Sequence, residues 1–166
     1  MKIMVFTEGT IIMHSGGLGH TREEIVSQVA EEEASLFDWP AYVPIGNAAE
    51  KLGTWQRQGA KILYLTSRTT PDEVGSISAV LKNYHFPAGE LLFRREGQQY
   101  KDVAERVIPD VLIEDDCESI GGVDEMTSTH INPIIRKKIK SIPVKEFGGI
   151  DYLSDSIEDL IGLNIS

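Results

Sequence analysis

The chain has 166 residues, of which 41% are hydrophobic, so it can bury one sizeable core and is too short for two full domains. Its formal net charge of −10, from 26 acidic and 16 basic residues, disfavours a general role in binding nucleic acid or membranes, because both are negatively charged. The only cysteine is Cys117, which excludes an internal disulfide bond. Residues 1–6 form a strand-length apolar run without the features of a signal peptide, so we predict a cytoplasmic protein.

The N-terminal half alternates predicted strands and helices. Residues 3–6 and 62–65 are continuous apolar runs, as expected for strands of a parallel sheet that helices cover on both faces. Between them, residues 21–24 (TREE) form a capping-box pattern that predicts a helix starting near Arg22. The spacing of apolar residues from 48 to 55 predicts a second helix.

The C-terminal half continues the alternation. Thr70 and Pro71 place a capping threonine before a proline at the first helical position, which predicts a helix reaching about residue 84. Further strands are predicted at residues 91–93, 111–113 and 142–144, and further helices at residues 100–107 and 157–161. Pro143 moves the last strand towards a sheet edge, because proline cannot donate a ladder hydrogen bond.

Strands that alternate with helices imply right-handed crossovers and a three-layer, doubly wound parallel α/β sheet. We predict a single domain over residues 1–166, with a small flap or helical insert around residues 13–45. Ligands of such sheets bind beyond the carboxyl ends of the strands. The residues that follow each strand are therefore the candidates for function.

Four short segments, in order along the chain, lie at or near this predicted ligand edge. They are residues 5–10 (VFTEGT), residues 65–68 (LTSR), Lys101 and residues 111–116 (VLIEDD). Together they resemble the motifs of the haloacid dehalogenase-like (HAD) phosphohydrolase superfamily, whose first strand normally ends in aspartate, any residue, aspartate, glycine and threonine. The resemblance covers about residues 1–120 and implies a HAD-like, Rossmann-like core with a minimal cap.

The resemblance implies a role for each matching residue. Glu8 falls on the general acid/base of the family. The implied phosphate-binding residues are Thr66, Ser67, Arg68 and Lys101, and the implied Mg²⁺ ligands are Asp115, Asp116 and Glu8. Phe6 falls on the aspartate nucleophile, and a phenyl ring can neither form an acyl phosphate nor coordinate a cation that requires oxygen ligands.

Simpler interpretations remain open for several of these residues. The acidic run at residues 114–116 could be a solvated loop, although three acids beside a buried strand repel one another unless a cation lies nearby. Lys101 lies off the apolar stripe of its helix and could equally be a solvated lysine. Arg68 could bind an anion or only pair with a surface acid.

We therefore predict a pseudoenzyme with a degenerate phosphohydrolase site, which binds a phosphorylated small molecule or Mg²⁺ and has weak or no phosphatase activity. One alternative is an active phosphohydrolase that uses Glu8 or a metal-bound water. A second alternative is a non-catalytic interaction module, with the flap or residues 126–150 as its contact surface. The resemblance also implies a homodimer, because an open HAD site often relies on a partner subunit to cover it.

Overall fold

The computed structural model describes residues 1–162 as one α/β structure. Its strands are β1 (Lys2–Phe6), β2 (Ile12–Met13), β3 (Val43–Pro44), β4 (Lys61–Leu65), β5 (Glu90–Leu92), β6 (Val111–Asp115) and β7 (Lys140–Val144). Its helices are α1 (Arg22–Ala30), α2 (Ala48–Arg57), α3 (Pro71–Asn83), α4 (Tyr100–Val107), α5 (Thr127–His130), α6 (Pro133–Arg136) and α7 (Ile157–Gly162). Residues 163–166, at the end of the predicted domain, lie outside the described range.

Five strands form a parallel sheet in the order β5-β4-β1-β6-β7. The central strand β1 pairs with β4 on one side and with β6 on the other. The predicted doubly wound parallel α/β fold is therefore confirmed. β7 is an edge strand, as Pro143 indicated, and that proline is exposed.

Side chains of β1 alternate between two cores because successive residues of a strand point to opposite faces. Ile3 and Val5 belong to a cluster that includes the buried residues of α2, α3 and α7: Leu52, Trp55, Ile77, Val80, Leu81 and Leu160. Met4 belongs to a cluster on the other face, which includes Val103 and Ala104 of α4. Helices thus cover both faces of the sheet, which gives the three predicted layers.

The helix starts follow the local signals in the sequence. Thr21 and Glu24 form the predicted capping box, and α1 begins at Arg22. The side chain of Thr70 accepts a hydrogen bond from the backbone of Glu73 at the start of α3. These side chains satisfy N–H groups that have no partner within the helix, which explains why the starts could be predicted.

The segment between β2 and β3 is the region where a flap was predicted. It contains α1 and three 3₁₀ helices, at Ser15–Gly17, Ala34–Phe37 and Trp39–Ala41. The antiparallel pairing of β2 with β3 closes the segment at its base, and no sequence pattern predicts this two-residue ladder. Among the described residues, no helix combines the length and the apolar character needed to cross a bilayer.

Candidate functional site

A cavity of about 340 Å³ lies at the carboxyl ends of β1, β4 and β6. Phe6, Glu8 and Gly9 line it from the end of β1, and Ser67 and Arg68 line it from the loop after β4. The segment between β2 and β3 adds a further wall through Met13, His14, Val29, Leu36 and Tyr42. This is the edge at which doubly wound sheets bind ligands, and the volume is within the range of small-molecule sites.

Glu8 accepts hydrogen bonds on both of its carboxylate oxygens. Thr66 Oγ1 donates to Glu8 Oε1 at 2.5 Å, and the backbone N of Ser67 donates to Glu8 Oε2 at 3.1 Å. The hydroxyl of Thr7 also donates to Oε2. Arg68 Nε lies 4.0 Å from Oε1. Residues 66–68, called the donor loop below, therefore direct a hydroxyl, an amide and a guanidinium group at one anion.

Two arginines hold the donor loop. The guanidinium of Arg68 lies 4.0 Å from the ring centre of Trp39, and its Nη2 donates to Ser67 Oγ at 3.0 Å. The guanidinium of Arg94 lies 4.1 Å from the ring centre of Tyr100, and its Nη2 donates to the carbonyl of Ser67 at 3.4 Å. Cations over aromatic faces are attracted by the ring quadrupole, so the rings of Trp39 and Tyr100 help to hold the two guanidinium groups beside the loop.

Phe6 places an aromatic ring in the cavity at the position that the family resemblance gives to the nucleophile. Its ring meets Tyr100 edge-on, with 5.1 Å between the ring centres. Glu8 lines the same cavity, whereas Thr7 is fully buried and its backbone N donates to Leu65. Residue 6 thus contributes apolar surface and no oxygen to this part of the site.

Asp115, at the end of β6, is a buried carboxylate in the cavity wall. Thr10 Oγ1 donates to its Oδ2 at 2.9 Å, and Cys117 N donates to its Oδ1 at 3.0 Å. Burial raises the pKa of Asp115, and these hydrogen bonds only partly offset the effect. Gly9 has a φ of 82°, and a Cβ there would lie 3.0 Å from Asp115 Oδ2, so this turn favours glycine.

Glu146 is a second buried carboxylate in the same wall. The backbone N and the hydroxyl of Ser119 each donate to it at 2.7 Å. Burial raises the pKa of Glu146, and the nearby charges of Asp115 and Asp116 raise it further, against the opposing hydrogen bonds from Ser119. The cavity therefore has one cationic side, at Arg68, and one acidic side.

The cavity lining does not include three residues that the family resemblance assigned to the site: Asp116, Lys101 and Thr66, the last of which is fully buried. Asp116 lies 3.1 Å from Lys145 Nζ and accepts from the backbone N of Glu146 at 3.1 Å. Burial alone would raise the pKa of Asp116, but these hydrogen bonds and the charge of Lys145 outweigh it and lower the pKa. Asp116 and Lys145 line a separate surface cleft together with Tyr152.

The described carboxylates do not fit a Mg²⁺ site. Glu8, Asp115 and Asp116, the predicted ligands, each bind a different set of protein donors. Among residues 1–162, no three His, Cys, Asp or Glu side chains are arranged so that they could hold a metal ion. Phe6 supplies no oxygen, and Mg²⁺ requires several oxygen ligands in near-octahedral geometry.

Two residues near the donor loop and the acidic wall, Arg94 and Glu146, are not predicted by any sequence motif. Arg94 follows β5 and Glu146 follows β7, so both obey the rule that functional side chains come after the strands of such a sheet. They were not singled out because neither belongs to a recognised motif. Cys117 also lines the cavity, but burial and the surrounding carboxylates raise the pKa of its thiol to about 12, which opposes thiolate formation.

Comparison with known proteins shows similarity at the level of structure. The sequence matches no family model and no curated protein. Two structures of a class C acid phosphatase from Bacillus anthracis, one with tungstate bound, are similar to it, with TM-scores of 0.54 and 0.55 and identities of 13% and 14%. The alignments cover 97% of this chain and 77% of the phosphatase.

A structure of the Pnkp1/Rnl/Hen1 complex also contains a similar chain, with a TM-score of 0.54 and 15% identity. That alignment covers 87% of this chain but only 46% of the other, so the present chain spans less than half of its length. At such identities the likeness establishes the fold alone. The chain therefore shares its α/β fold with the acid phosphatase.

Proposed function

We propose that the cavity binds a phosphorylated small molecule, with its phosphate group at the donor loop, and that the domain has weak or no phosphatase activity. One observation carries the proposal. The hydroxyl of Thr66, the amide of Ser67 and the guanidinium of Arg68 converge on one carboxylate, that of Glu8. A loop that presents such donors to a carboxylate offers the same groups to a phosphate oxygen.

The arginine side chains support this assignment. In a chain of net charge −10, a nearby cation favours anion binding because it offsets the general repulsion. Arg68 lines the cavity, and Arg94 lies directly behind the donor loop. Because aromatic rings hold both guanidinium groups, little side-chain entropy is lost on binding. Lys101 is left out of the proposal because it neither lines the cavity nor is among the donors to Glu8.

The remaining cavity lining suits the organic part of the ligand. Phe6, Tyr42, Tyr100 and Phe147 contribute aromatic surface, and Met13 contributes an aliphatic side chain. Apolar walls with a few convergent polar groups are typical of small-molecule sites. We therefore expect a phosphate ester of a small, partly apolar alcohol.

Weak or absent hydrolysis follows from the side chains at the end of β1. Phe6 cannot attack phosphorus. Glu8, the remaining candidate base, already accepts hydrogen bonds from Thr7, Thr66 and Ser67. The alternative of an active phosphohydrolase needs Glu8 to face a water or the leaving group, and in this arrangement it faces the donor loop instead.

The binding test uses phenyl phosphate as the probe and isothermal titration calorimetry as the measurement. Arg68→Met should weaken binding by about ten- to one-hundred-fold, since hydrogen bonds to charged groups contribute about 1.5–3 kcal/mol. Thr66→Val should also weaken it. Arg95→Met is the matched control, because Arg95 is an exposed arginine nearby that does not line the cavity.

Equal losses in the Arg68 and Arg95 variants would mean that net charge, and not the donor loop, governs binding. No binding by the native chain would overturn the proposal. Phenol release, measured in the same samples, should remain at the background rate. Turnover that Glu8→Gln abolishes would instead favour the active phosphohydrolase.

A further inference from the structure

Glu8 occupies the position at which the donor loop binds an anion. Its oxygens accept the hydroxyl proton of Thr66 and the N–H of Ser67, the same donors that the proposed function assigns to phosphate. We infer that Glu8 is an internal anion that competes with the ligand's phosphate group, which binds only when the Glu8 side chain leaves the donor loop. The inference rests on the proposed function and concerns the regulation of the same cavity.

The competition follows from the number of protons available. The hydroxyl of Thr66 and the amide of Ser67 each carry one hydrogen, and both hydrogens point at Glu8. A phosphate oxygen that accepts either hydrogen must therefore displace Glu8. Repulsion between two anions at hydrogen-bond distance acts in the same direction.

Glu8 can leave the donor loop without a change in the fold. Its side chain is 14% exposed and borders the open cavity. The backbone beside it is fixed separately, because Gly9 N donates to the carbonyl of Ile12. Rotation about the side-chain bonds of Glu8 is thus sufficient to release the donor loop.

Glu8 also has a role when no ligand is bound. Thr66 is fully buried, and without an acceptor its hydroxyl would be left unsatisfied. The Glu8 carboxylate satisfies it and keeps the donor loop in its binding conformation. Removing Glu8 should therefore lower thermal stability and at the same time tighten phosphate binding, which is a combination that a general acid/base would not produce.

The experiment measures binding of inorganic phosphate by calorimetry to the native chain, Glu8→Gln and Glu8→Ala. Both variants should bind at least about tenfold more tightly, because a like charge has been removed from hydrogen-bond distance. Both should melt at a lower temperature, and saturating phosphate should restore much of the loss. Two variants are used because one of them alone could fail to fold.

Glu146→Gln is the matched control. It removes one negative charge from the same cavity, but its contacts are with Ser119 and not with the donor loop. Its effect on phosphate affinity should be much smaller than that of the Glu8 variants. An equal gain in all three variants would show simple electrostatic relief and would overturn the inference.

Nuclear magnetic resonance of the native chain gives a second readout that needs no variant. Added phosphate should shift the amide resonance of Ser67 and the carboxyl resonance of Glu8 together. A shift at Ser67 with no change at Glu8 would overturn the inference and leave the proposed function standing. If the native chain binds neither phosphate nor phenyl phosphate, the proposed function fails, and the inference fails with it.

Discussion

Glu146 is a buried carboxylate in the cavity wall, and its ionisation affects the stability of the fold. Only 7% of the residue is exposed, and its pKa is raised above the ordinary value by burial and by nearby acids. The folded state therefore holds the proton of Glu146 more tightly than the unfolded state. The contribution of Glu146 to the free energy of unfolding is therefore fully present below the ordinary glutamate pKa of about 4.3. It is lost as the pH rises through the pKa of Glu146 in the folded state.

We accordingly predict that Glu146→Gln raises the melting temperature at neutral pH, because it removes an ionised group from a site that disfavours the charge. The gain should shrink as the pH falls towards about 4 and disappear below it, where the native carboxyl is also protonated. The test is the melting temperature of the native protein and of Glu146→Gln, measured from about pH 3 to about pH 8. This range extends to both sides of the ordinary glutamate pKa of about 4.3. A gain that does not change with pH would show that packing, and not charge, is responsible.

At the scale of elements, the end of β6 anchors the short helix α5 through Glu114. The carboxylate of Glu114 accepts from the backbone N of Thr127 and of Ser128, both at 2.8 Å. These are the first N–H groups of α5, which lack partners within the helix. Glu114 is only 3% exposed. The three consecutive acids at the end of β6 therefore have different partners, and that of Glu114 is the start of α5.

Glu114→Ala should therefore lower the free energy of unfolding by about 1–3 kcal/mol for each amide left without a partner, as measured by urea denaturation. Glu118→Ala is the matched control, because Glu118 is a half-exposed acid that pairs with Arg22 on the surface. The free energy of unfolding of Glu118→Ala should fall by less than about 1 kcal/mol. Similar losses in the two variants would contradict the anchoring role of Glu114.

At the scale of the whole molecule, the net charge of −10 governs how cations interact with the protein. We predict that Mg²⁺ associates only as a weak counterion and that phosphate affinity is the same in EDTA and in Mg²⁺. The reason is that Glu8, Asp115 and Asp116 have separate partners and that Phe6 offers no oxygen. About 0.15 M salt should suppress the Mg²⁺ association, since exposed charges are screened at that ionic strength.

Calorimetric titration with Mg²⁺ tests this prediction. A saturable Mg²⁺ site that persists in salt and that Asp115→Asn removes would contradict the prediction, and would return Mg²⁺ to the proposed function.

The interaction-module alternative and the homodimer stay predictions, since both concern partners. Sedimentation of the full chain at several concentrations would test the homodimer.

The sequence alone determined the five strands of the parallel sheet, most helix starts and the doubly wound architecture. These features depend on local signals: continuous apolar runs, the capping residues Thr21 and Thr70, and the prolines at 71 and 143. The motifs likewise indicated the edge of the sheet at which the cavity lies. In each case the physics acts between residues that are close in sequence.

Only the tertiary structure decided which side chains share the cavity. Asp115 and Asp116 are neighbours in the sequence, yet one lines the cavity and the other pairs with Lys145 outside it. The contact of Glu8 with the donor loop likewise depends on the parallel pairing of β1 with β4. Side-chain direction at a strand end is set by register, burial and competing donors from distant segments, none of which a local pattern encodes.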